Sequence, residues 1–283
     1  MNLQRLVHNL KQRHIIGSLD LEITNIATHS KKVNAGSLFI CIEGFKVDGH
    51  NYIDEAIQRG AKAVLVSRDV TFSPSVTYIK VPDTRQAIPI IADIFYDHPS
   101  SKLKLIGITG TNGKTTTAYL IESILNTAGY IPTRISTITT KIGNTETLSD
   151  QTTPEALELQ GILAQAVKAG STHVVMEVSS HALALHRTSG CKFDTAIFTN
   201  ITPEHLDFHL TQDDYLAAKL KLFKTLSSFG TAIINIDDAH SPEVIANTEA
   251  KTITYGLSDK AQYYADNIES TKVGTSFFLS VQG

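Results

Sequence analysis

One junction constrains this chain more than any other feature. The apolar run Leu105-Ile106-Gly107-Ile108-Thr109 leads into Gly110-Thr111-Asn112-Gly113-Lys114-Thr115-Thr116, and a helical stretch over Lys114–Ala128 follows, closed by Gly129. Gly110 and Gly113 let the backbone approach an anion closely, while successive N–H groups and the helix start point at it. Lys114 can then reach terminal phosphates, and the Thr115 hydroxyl suits Mg²⁺. The spacing is a short variant, since a strict Walker A run would need glycine at position 108, where this chain has Ile108. A chance Gly-Lys-Thr in a turn is the competing reading. The order of strand, loop and helix argues against it.

Strands and helices alternate on either side of this junction. Strands are predicted over Lys104–Thr109, His173–Val178, Thr195–Thr199 and Thr231–Ile236, and helices over Pro154–Ala169 and Asp213–Leu226. That alternation predicts an α/β fold with a P-loop-type doubly wound, mostly parallel central sheet. Residues 251–283 read as short strands or hairpins. Upstream, Leu3, Leu6, Val7 and Leu10 have helical spacing. Ser37–Ile42 and Ala63–Val66 read as strands, and Asn51–Arg59 and Pro82–Tyr96 as helices. The polar, proline-bearing run Asp97-His98-Pro99-Ser100-Ser101 is the best linker candidate. Two domains are therefore expected, 1–100 and 101–283, consistent with the chain length of 283 residues.

Composition narrows the partners. A net charge of −3 leaves no electrostatic footprint for nucleic acid, so phosphate binding must be local. The two cysteines, Cys41 and Cys191, make no disulfide framework. The start Met1-Asn2-Leu3-Gln4-Arg5-Leu6 lacks a signal-peptide apolar region, and no run approaches the ~20 apolar residues of a membrane span. A cytoplasmic protein is the expectation.

A second set of residues falls at strand ends. Glu177 ends the apolar run His173-Val174-Val175-Met176, at the sheet edge where open α/β folds bind ligands. There it can share a Mg²⁺ with phosphates, although a solvated loop glutamate is the plainer alternative. Three histidines nearby, His181, His205 and His209, could suggest zinc; no Cys joins them and no His-Glu-x-x-His run occurs, so the spacing does not favour it. His205 gains interest because its strand should end beside Glu177. Lys219, taken alone, reads as an exposed lysine beside Lys221 and Lys224.

Taken together, several segments resemble the Mur ligase family. They are Gly110–Thr116, Thr152-Thr153-Pro154, Met176–Leu183, Phe198–His209, and Tyr215-Leu216-Ala217-Ala218-Lys219. Within that family the chain is most similar to the ligases that add the third amino acid to UDP-N-acetylmuramoyl-L-alanyl-D-glutamate. His29-Ser30-Lys31-Lys32-Val33 and Gly44…Asp48-Gly49-His50 resemble that subfamily's UDP-binding domain. The resemblance implies a 1–100 UDP-muramoyl-binding domain and a 101–283 ATP-binding domain. It further implies an ATP- and Mg²⁺-dependent ligase of peptidoglycan synthesis, and so a part in cell shape and division, acting as a monomer. Gly110, Thr111, Asn112, Gly113, Lys114, Thr115 and Thr116 would hold ATP. Ser30, Thr152, Thr153, Ser179 and Arg187 would hold the UDP-muramoyl-dipeptide. Thr115, Glu177, His205 and Lys219, the last as a carbamate, would hold Mg²⁺, with Lys114, Lys219 and His205 serving catalysis.

Some positions depart from that pattern. His29-Ser30-Lys31 stands where Asp-Ser-Arg is usual, so Lys31 lacks the guanidinium fork. Pro203 and Leu185 stand where polar residues are common. The family's third domain and its Asp-Asn-Pro-Arg run do not follow before Gly283, so the expectation is a chain incomplete at its C-terminal end, of uncertain activity by itself. The third amino acid, diaminopimelate or lysine, is left open. The alternatives are a non-catalytic module that binds UDP-muramoyl-peptide and ATP, and a folylpolyglutamate-synthase-like ligase. A P-loop GTPase would need an Asn-Lys-x-Asp run, which is absent.

Overall fold

Runs buried on both faces build the first of two units. The computed structural model describes residues 1–44 and 47–282; Phe45 and Lys46 of the Gly44–His50 loop, and Gly283, lie outside the described residues. The first unit comprises Met1–Pro99, Glu155–Gly161 and His186–Gly190. Its elements are α1 (Leu3–Val7), β1 (His14–Ile16), β2 (Asn25–Ala27), β3 (Ser37–Ile40), α2 (Ile53–Gln58), β4 (Ala61–Val66), β5 (Thr77–Lys80) and α3 (Thr84–Phe95). The sheet order is β1-β5-β4-β3-β2, parallel except for β1 against β5. Alternate residues separate cleanly into two cores. Leu38, Ile40, Leu65 and Ile79 face one cluster with α1 and α3. Phe39, Val64, Val66 and Tyr78 face the other with α2. A strand buried on both faces must be apolar throughout, which is why these runs show no alternation of polarity.

The second unit, Ser100–Pro154, Ile162–Leu185 and Cys191–Gly283, holds the phosphate-loop candidate. It begins with β6 (Lys104–Thr109), α4 (Lys114–Thr127), β7 (Pro132–Ile135), β8 (Thr139–Ile142) and β9 (Thr145–Leu148). Helix α5 (Ala156–Lys168) follows, its first turns counted with the first unit and the remainder with the second. Then come β10 (His173–Glu177), α6 (Ser180–Ala184), β11 (Thr195–Phe198), α7 (Leu206–His209), α8 (Gln212–Lys224), β12 (Thr231–Asn235), α9 (Ser241–Ala246), β13 (Lys251–Gly256), β14 (Tyr263–Ser270) and β15 (Thr275–Val281).

These strands form one ten-stranded sheet in the order β15-β14-β13-β12-β11-β6-β10-β7-β8-β9. Its middle is parallel, and antiparallel pairs occur toward the margins at β7–β8, β8–β9 and β14–β15. The mostly parallel α/β architecture expected from the sequence is what forms. Strand β6 lies between β10 and β11, with Glu177 paired to Ile108 and Phe198 to Thr109. Ile108, Val175 and Ile197 pack with Ala118 of α4. Because the three strands run in parallel, their C-terminal ends meet at one edge, the place where such sheets receive ligands. The segment 132–148, read from sequence as neither strand nor helix, supplies three strands on this side of the sheet. No helix among the described residues is long and apolar enough to cross a membrane.

Candidate active site

The turn between β6 and α4 is shaped by two glycines. Gly110 has φ +145°, and a Cβ there would sit 1.9 Å from Thr199 Oγ1. Gly113 has φ +83° in open space and occupies the N-cap position of α4 without a side-chain cap. The first half of the turn is pinned by the end of β11. The Thr111 N–H donates to Asn200 O at 2.8 Å. The Asn112 N–H donates to Asn200 Oδ1 at 3.0 Å, and Asn112 O accepts from Asn200 Nδ2 at 3.2 Å and Thr199 Oγ1 at 2.7 Å. The second half is left open. Thr117 N bonds back to Gly113 O, so the amides of the first helical turn before it have no acceptor within the helix. A positive helix end with unspent N–H groups is an anion site.

Two lysines converge on the same carbonyl. Lys114 Nζ donates to Gly110 O at 3.0 Å and Thr111 O at 2.7 Å. Lys219 Nζ, reaching from α8, donates to Gly110 O at 2.8 Å and lies 4.3 Å from the centre of the Tyr215 ring. Burial lowers the Lys114 ammonium pKa, opposed by Glu177 and Glu204. Lys219 is only 2% exposed, and burial, then the charge of Lys114, pulls its pKa down to about 7. The residue that reads as a surface lysine in isolation is therefore buried, because Tyr215, Leu216, Leu220 and Phe223 seat this helix in the core.

Glu177 closes β10 and is 0% exposed. Both its oxygens accept from one residue: Thr137 N–H to Oε1 at 2.9 Å and the Thr137 hydroxyl to Oε2 at 3.1 Å. Thr153 is buried, and its hydroxyl bridges Glu177 O at 2.9 Å and the Ser179 N–H at 3.0 Å, stapling the strand end to α6. Ser179 caps α6 through Ala182 N at 3.2 Å. Thr152 lies with its hydroxyl 3.1 Å from that of Thr137.

His205 stands at the N-cap of α7 with φ +57° and is about half exposed. Its ring centre lies 4.8 Å from that of His181, which also stacks on Phe208 at 4.2 Å. His205 and Glu177 share no hydrogen bond or ion pair, and no group of three His, Cys, Asp or Glu side chains among the described residues is arranged to hold a metal. A hard cation nonetheless suits the oxygens present. Among the described residues the buried Glu177 carboxylate is hydrogen-bonded to the neutral donors of Thr137, with lone pairs to spare, and Thr115 brings a hydroxyl in the first turn of α4.

Two further residues singled out by sequence lie in the first unit. Ser30 is buried and donates to Glu55 Oε2 at 2.7 Å. Arg187 pairs with Glu155 Oε1 at 2.7 Å. Sequence reasoning passed over Thr137 and the clamping role of Asn200, as well as Glu55. For Thr137 one signal was available: Gly143-Asn144 sits as a two-residue loop between Thr139–Ile142 and Thr145–Leu148, a strong hairpin mark.

The comparisons agree with this architecture. Residues 108–283 match the model of the Mur ligase middle domain, and residues 22–96 that of the Mur ligase family catalytic domain. The chain belongs to the Mur ligase family. Among its relatives is UDP-N-acetylmuramoyl-L-alanyl-D-glutamate–2,6-diaminopimelate ligase 1 of Clostridium acetobutylicum, 44% identical over 283 residues, all of this chain and 58% of the relative. The corresponding ligase of Alkaliphilus oremlandii is 45% identical over 99% of this chain and 57% of its own length. A solved structure of a ligase of that same name superposes with TM-score 0.85 at 27% identity, covering all of this chain and 58% of that one. The fold also recurs in a MurF ligase of Thermotoga maritima solved with ADP, TM-score 0.61 at 20% identity, over 91% of this chain and 56% of the other. The chain thus spans a little under three-fifths of the length of the relatives it matches.

Proposed function

We propose that this chain carries the nucleotide- and muramoyl-binding parts of an ATP-dependent ligase. Its reaction joins 2,6-diaminopimelate, the amino acid named in the relatives, to UDP-N-acetylmuramoyl-L-alanyl-D-glutamate in cytoplasmic peptidoglycan synthesis. The observation that carries this reading is the β6–α4 turn, whose open amides and Lys114 face the edge where Glu177 ends its strand. The relatives at 41–45% identity supply the substrate class.

In the proposed chemistry the substrate carboxylate attacks the γ-phosphorus of ATP. The bond to the β-phosphate oxygen breaks, leaving ADP and an acyl phosphate. The amine then adds to the acyl carbon, loses a proton and expels phosphate. Phosphoryl transfer of this kind depends on positioning and charge neutralisation. Here the first-turn amides of α4 hold the phosphates, and Lys114 leaves Gly110 O and Thr111 O to pair with them. Thr115 and Glu177, with His205 and Lys219, are the residues proposed to hold Mg²⁺, which supplies positive charge beside the phosphates. Ser30, Thr152 and Arg187 are assigned to the muramoyl nucleotide, with Thr153 and Ser179 shaping the backbone beside it.

Lys219 is assigned as a carbamate. With its pKa near 7, much of it is neutral amine at physiological pH, and that lone pair adds to CO₂ with loss of a proton. Incubation with ¹³C-bicarbonate, Mg²⁺ and ADP should give a carbamate carbon signal that Lys219→Met removes; an unmodified amine under those conditions rejects the assignment. For the function as a whole, calorimetry should show binding of ADP with Mg²⁺ and of UDP-N-acetylmuramoyl-L-alanyl-D-glutamate. Binding of a pteridine substrate in its place would transfer the chain to folate chemistry.

A further inference from the structure

Among the described residues, Thr137 supplies both hydrogen bonds to the Glu177 carboxylate. Thr137 spends its N–H on one carboxylate oxygen and its hydroxyl on the other, at 2.9 and 3.1 Å. Its hydroxyl is also 3.1 Å from that of Thr152. A hydroxyl has one proton to donate and two lone pairs. The Thr137 hydroxyl proton therefore has two acceptors in reach, Glu177 Oε2 and Thr152 Oγ1, which compete for it.

The turn that presents Thr137 is held firmly. Ser136 N and Oγ both donate to Thr139 O, at 3.1 and 2.9 Å. Arg134, 1% exposed, donates from one terminal nitrogen to Ser136 Oγ at 3.1 Å and Thr139 Oγ1 at 2.9 Å. Its other nitrogens pair with Glu122 of α4 and Glu146 of β9, and its guanidinium lies 3.6 Å from the centre of the Tyr119 ring. Moving the turn means disturbing a buried charge network, which is costly. The network also ties the turn to α4, the helix whose start forms the phosphate-loop candidate.

We propose that Thr137 is a positioning residue: it fixes the carboxylate plane of Glu177 for the divalent cation that accompanies the nucleotide, with its one hydroxyl proton contested by Thr152 on the proposed muramoyl side. This rests on the reading of Glu177 as a cation ligand. Two donors set on the two oxygens leave the outward lone pairs at a defined angle. With the hydroxyl gone, the carboxylate is held at one oxygen and can turn about its terminal bond.

The test uses the full chain and ADP affinity by calorimetry, with excess Mg²⁺ and again in EDTA. Thr137→Val keeps the branched shape and the backbone N–H but removes the hydroxyl. It should cut the Mg²⁺-dependent gain in affinity about tenfold, in line with the loss of a hydrogen bond to a charged group. Affinity in EDTA should equal that of the parent, and Thr137→Ser should restore the gain. A full Mg²⁺ gain in Thr137→Val overturns the proposal. An equal loss with and without Mg²⁺ overturns it too, because that is a structural role only. Thr152→Val gives an independent arm should the first variant not fold: with the competing acceptor gone the Thr137 proton stays on Glu177, so the Mg²⁺ gain should be at least that of the parent, and a smaller gain overturns the proposal. The underlying reading fails separately. A parent chain that binds ADP without any Mg²⁺ gain removes Glu177 as a cation ligand, and one that binds no ADP removes the nucleotide site itself.

Discussion

The edge of the central sheet carries two turns of opposite design. The β6–α4 turn is built to receive: Thr111 and Asn112 are clamped by Asn200, and the amides that follow are left without acceptors in the helix. The β7–β8 turn is built to hold. The polar groups of Ser136, Thr137 and Thr139 are spent on one another, on Arg134 and on Glu177. The difference separates affinity from orientation. A turn with unspent donors gains free energy only when an anion arrives, whereas a turn with spent donors fixes a neighbour at all times. The comparison predicts that damage to the second turn shows first in stability, and damage to the first turn in ligand affinity.

The largest expected effect lies in the holding turn. Arg134→Met removes the buried guanidinium and leaves Glu122 deprived of one of its two cationic partners. Stranding part of a buried charge network costs about 3–5 kcal/mol. Urea unfolding should show that loss with an unchanged slope. A loss below about 1 kcal/mol would mean that the second turn is not the rigid partner.

Gly110→Ala comes next, and it breaks the distinction at its one exception. The new Cβ would meet Thr199 Oγ1 at 1.9 Å, and φ is +145°. Overpacking with backbone strain costs about 2–3 kcal/mol. Gly113→Ala, with open space around it, carries only the cost of its φ of +83°, about 1 kcal/mol. Equal unfolding midpoints for the two variants would contradict the close approach of β11 to the turn.

Lys114→Ala tests the receiving function directly. Among the described residues its amine hydrogen-bonds to Gly110 O and Thr111 O, two backbone carbonyls beside it, so stability should hardly move. Affinity for ADP with Mg²⁺ should fall by about 1.5–3 kcal/mol, the weight of a charge-assisted contact. Unchanged affinity by calorimetry would mean that the phosphates are held by something other than this turn.

The two turns also differed in how far the sequence disclosed them. The turn proposed to receive phosphate announces itself, since glycine and lysine at a strand-to-helix junction are what backbone geometry and a phosphate ligand would demand within seven consecutive residues. The parallel strands His173–Glu177 and Thr195–Phe198 were equally visible, being apolar runs buried on both faces. Helix limits shifted by one or two residues, as with α8 starting at Gln212 and ending at Lys224. The holding turn stayed hidden because β7 reads Pro-Thr-Arg-Ile, a fully buried strand whose arginine argues for the surface unless its partners Glu122 and Glu146 are known. Those contacts span 12 residues in each direction and follow no helical or strand period. Lys219 was hidden in the same way. Its burial depends on the packing of a whole helix, and spacing alone left it one lysine among three.

The smallest effect is a slope, and Lys219 supplies it. This lysine touches the receiving turn through Gly110 O yet is buried like a residue of the holding turn. Burial, with Lys114 beside it, brings its folded pKa to about 7 from 10.5. Between those two values the unfolded chain binds the proton and the folded chain does not. Unfolding free energy contributed by this group therefore rises with pH across that window, by at most about 1.4 kcal/mol per pH unit. Below about pH 7 both states are protonated and the contribution is flat, with its full penalty present. In CO₂-free buffer the parent should gain stability relative to Lys219→Met as pH is raised from 7.5 to 9.5, by about 1 kcal/mol per unit, measured by urea unfolding at each pH. Removing CO₂ matters, because carbamate formation would replace the amine with an anion and erase the titration. Parallel stability curves for the two proteins would show that Lys219 keeps an ordinary ammonium in the folded state. The converging-lysine geometry at Gly110 would then have to tolerate two full positive charges.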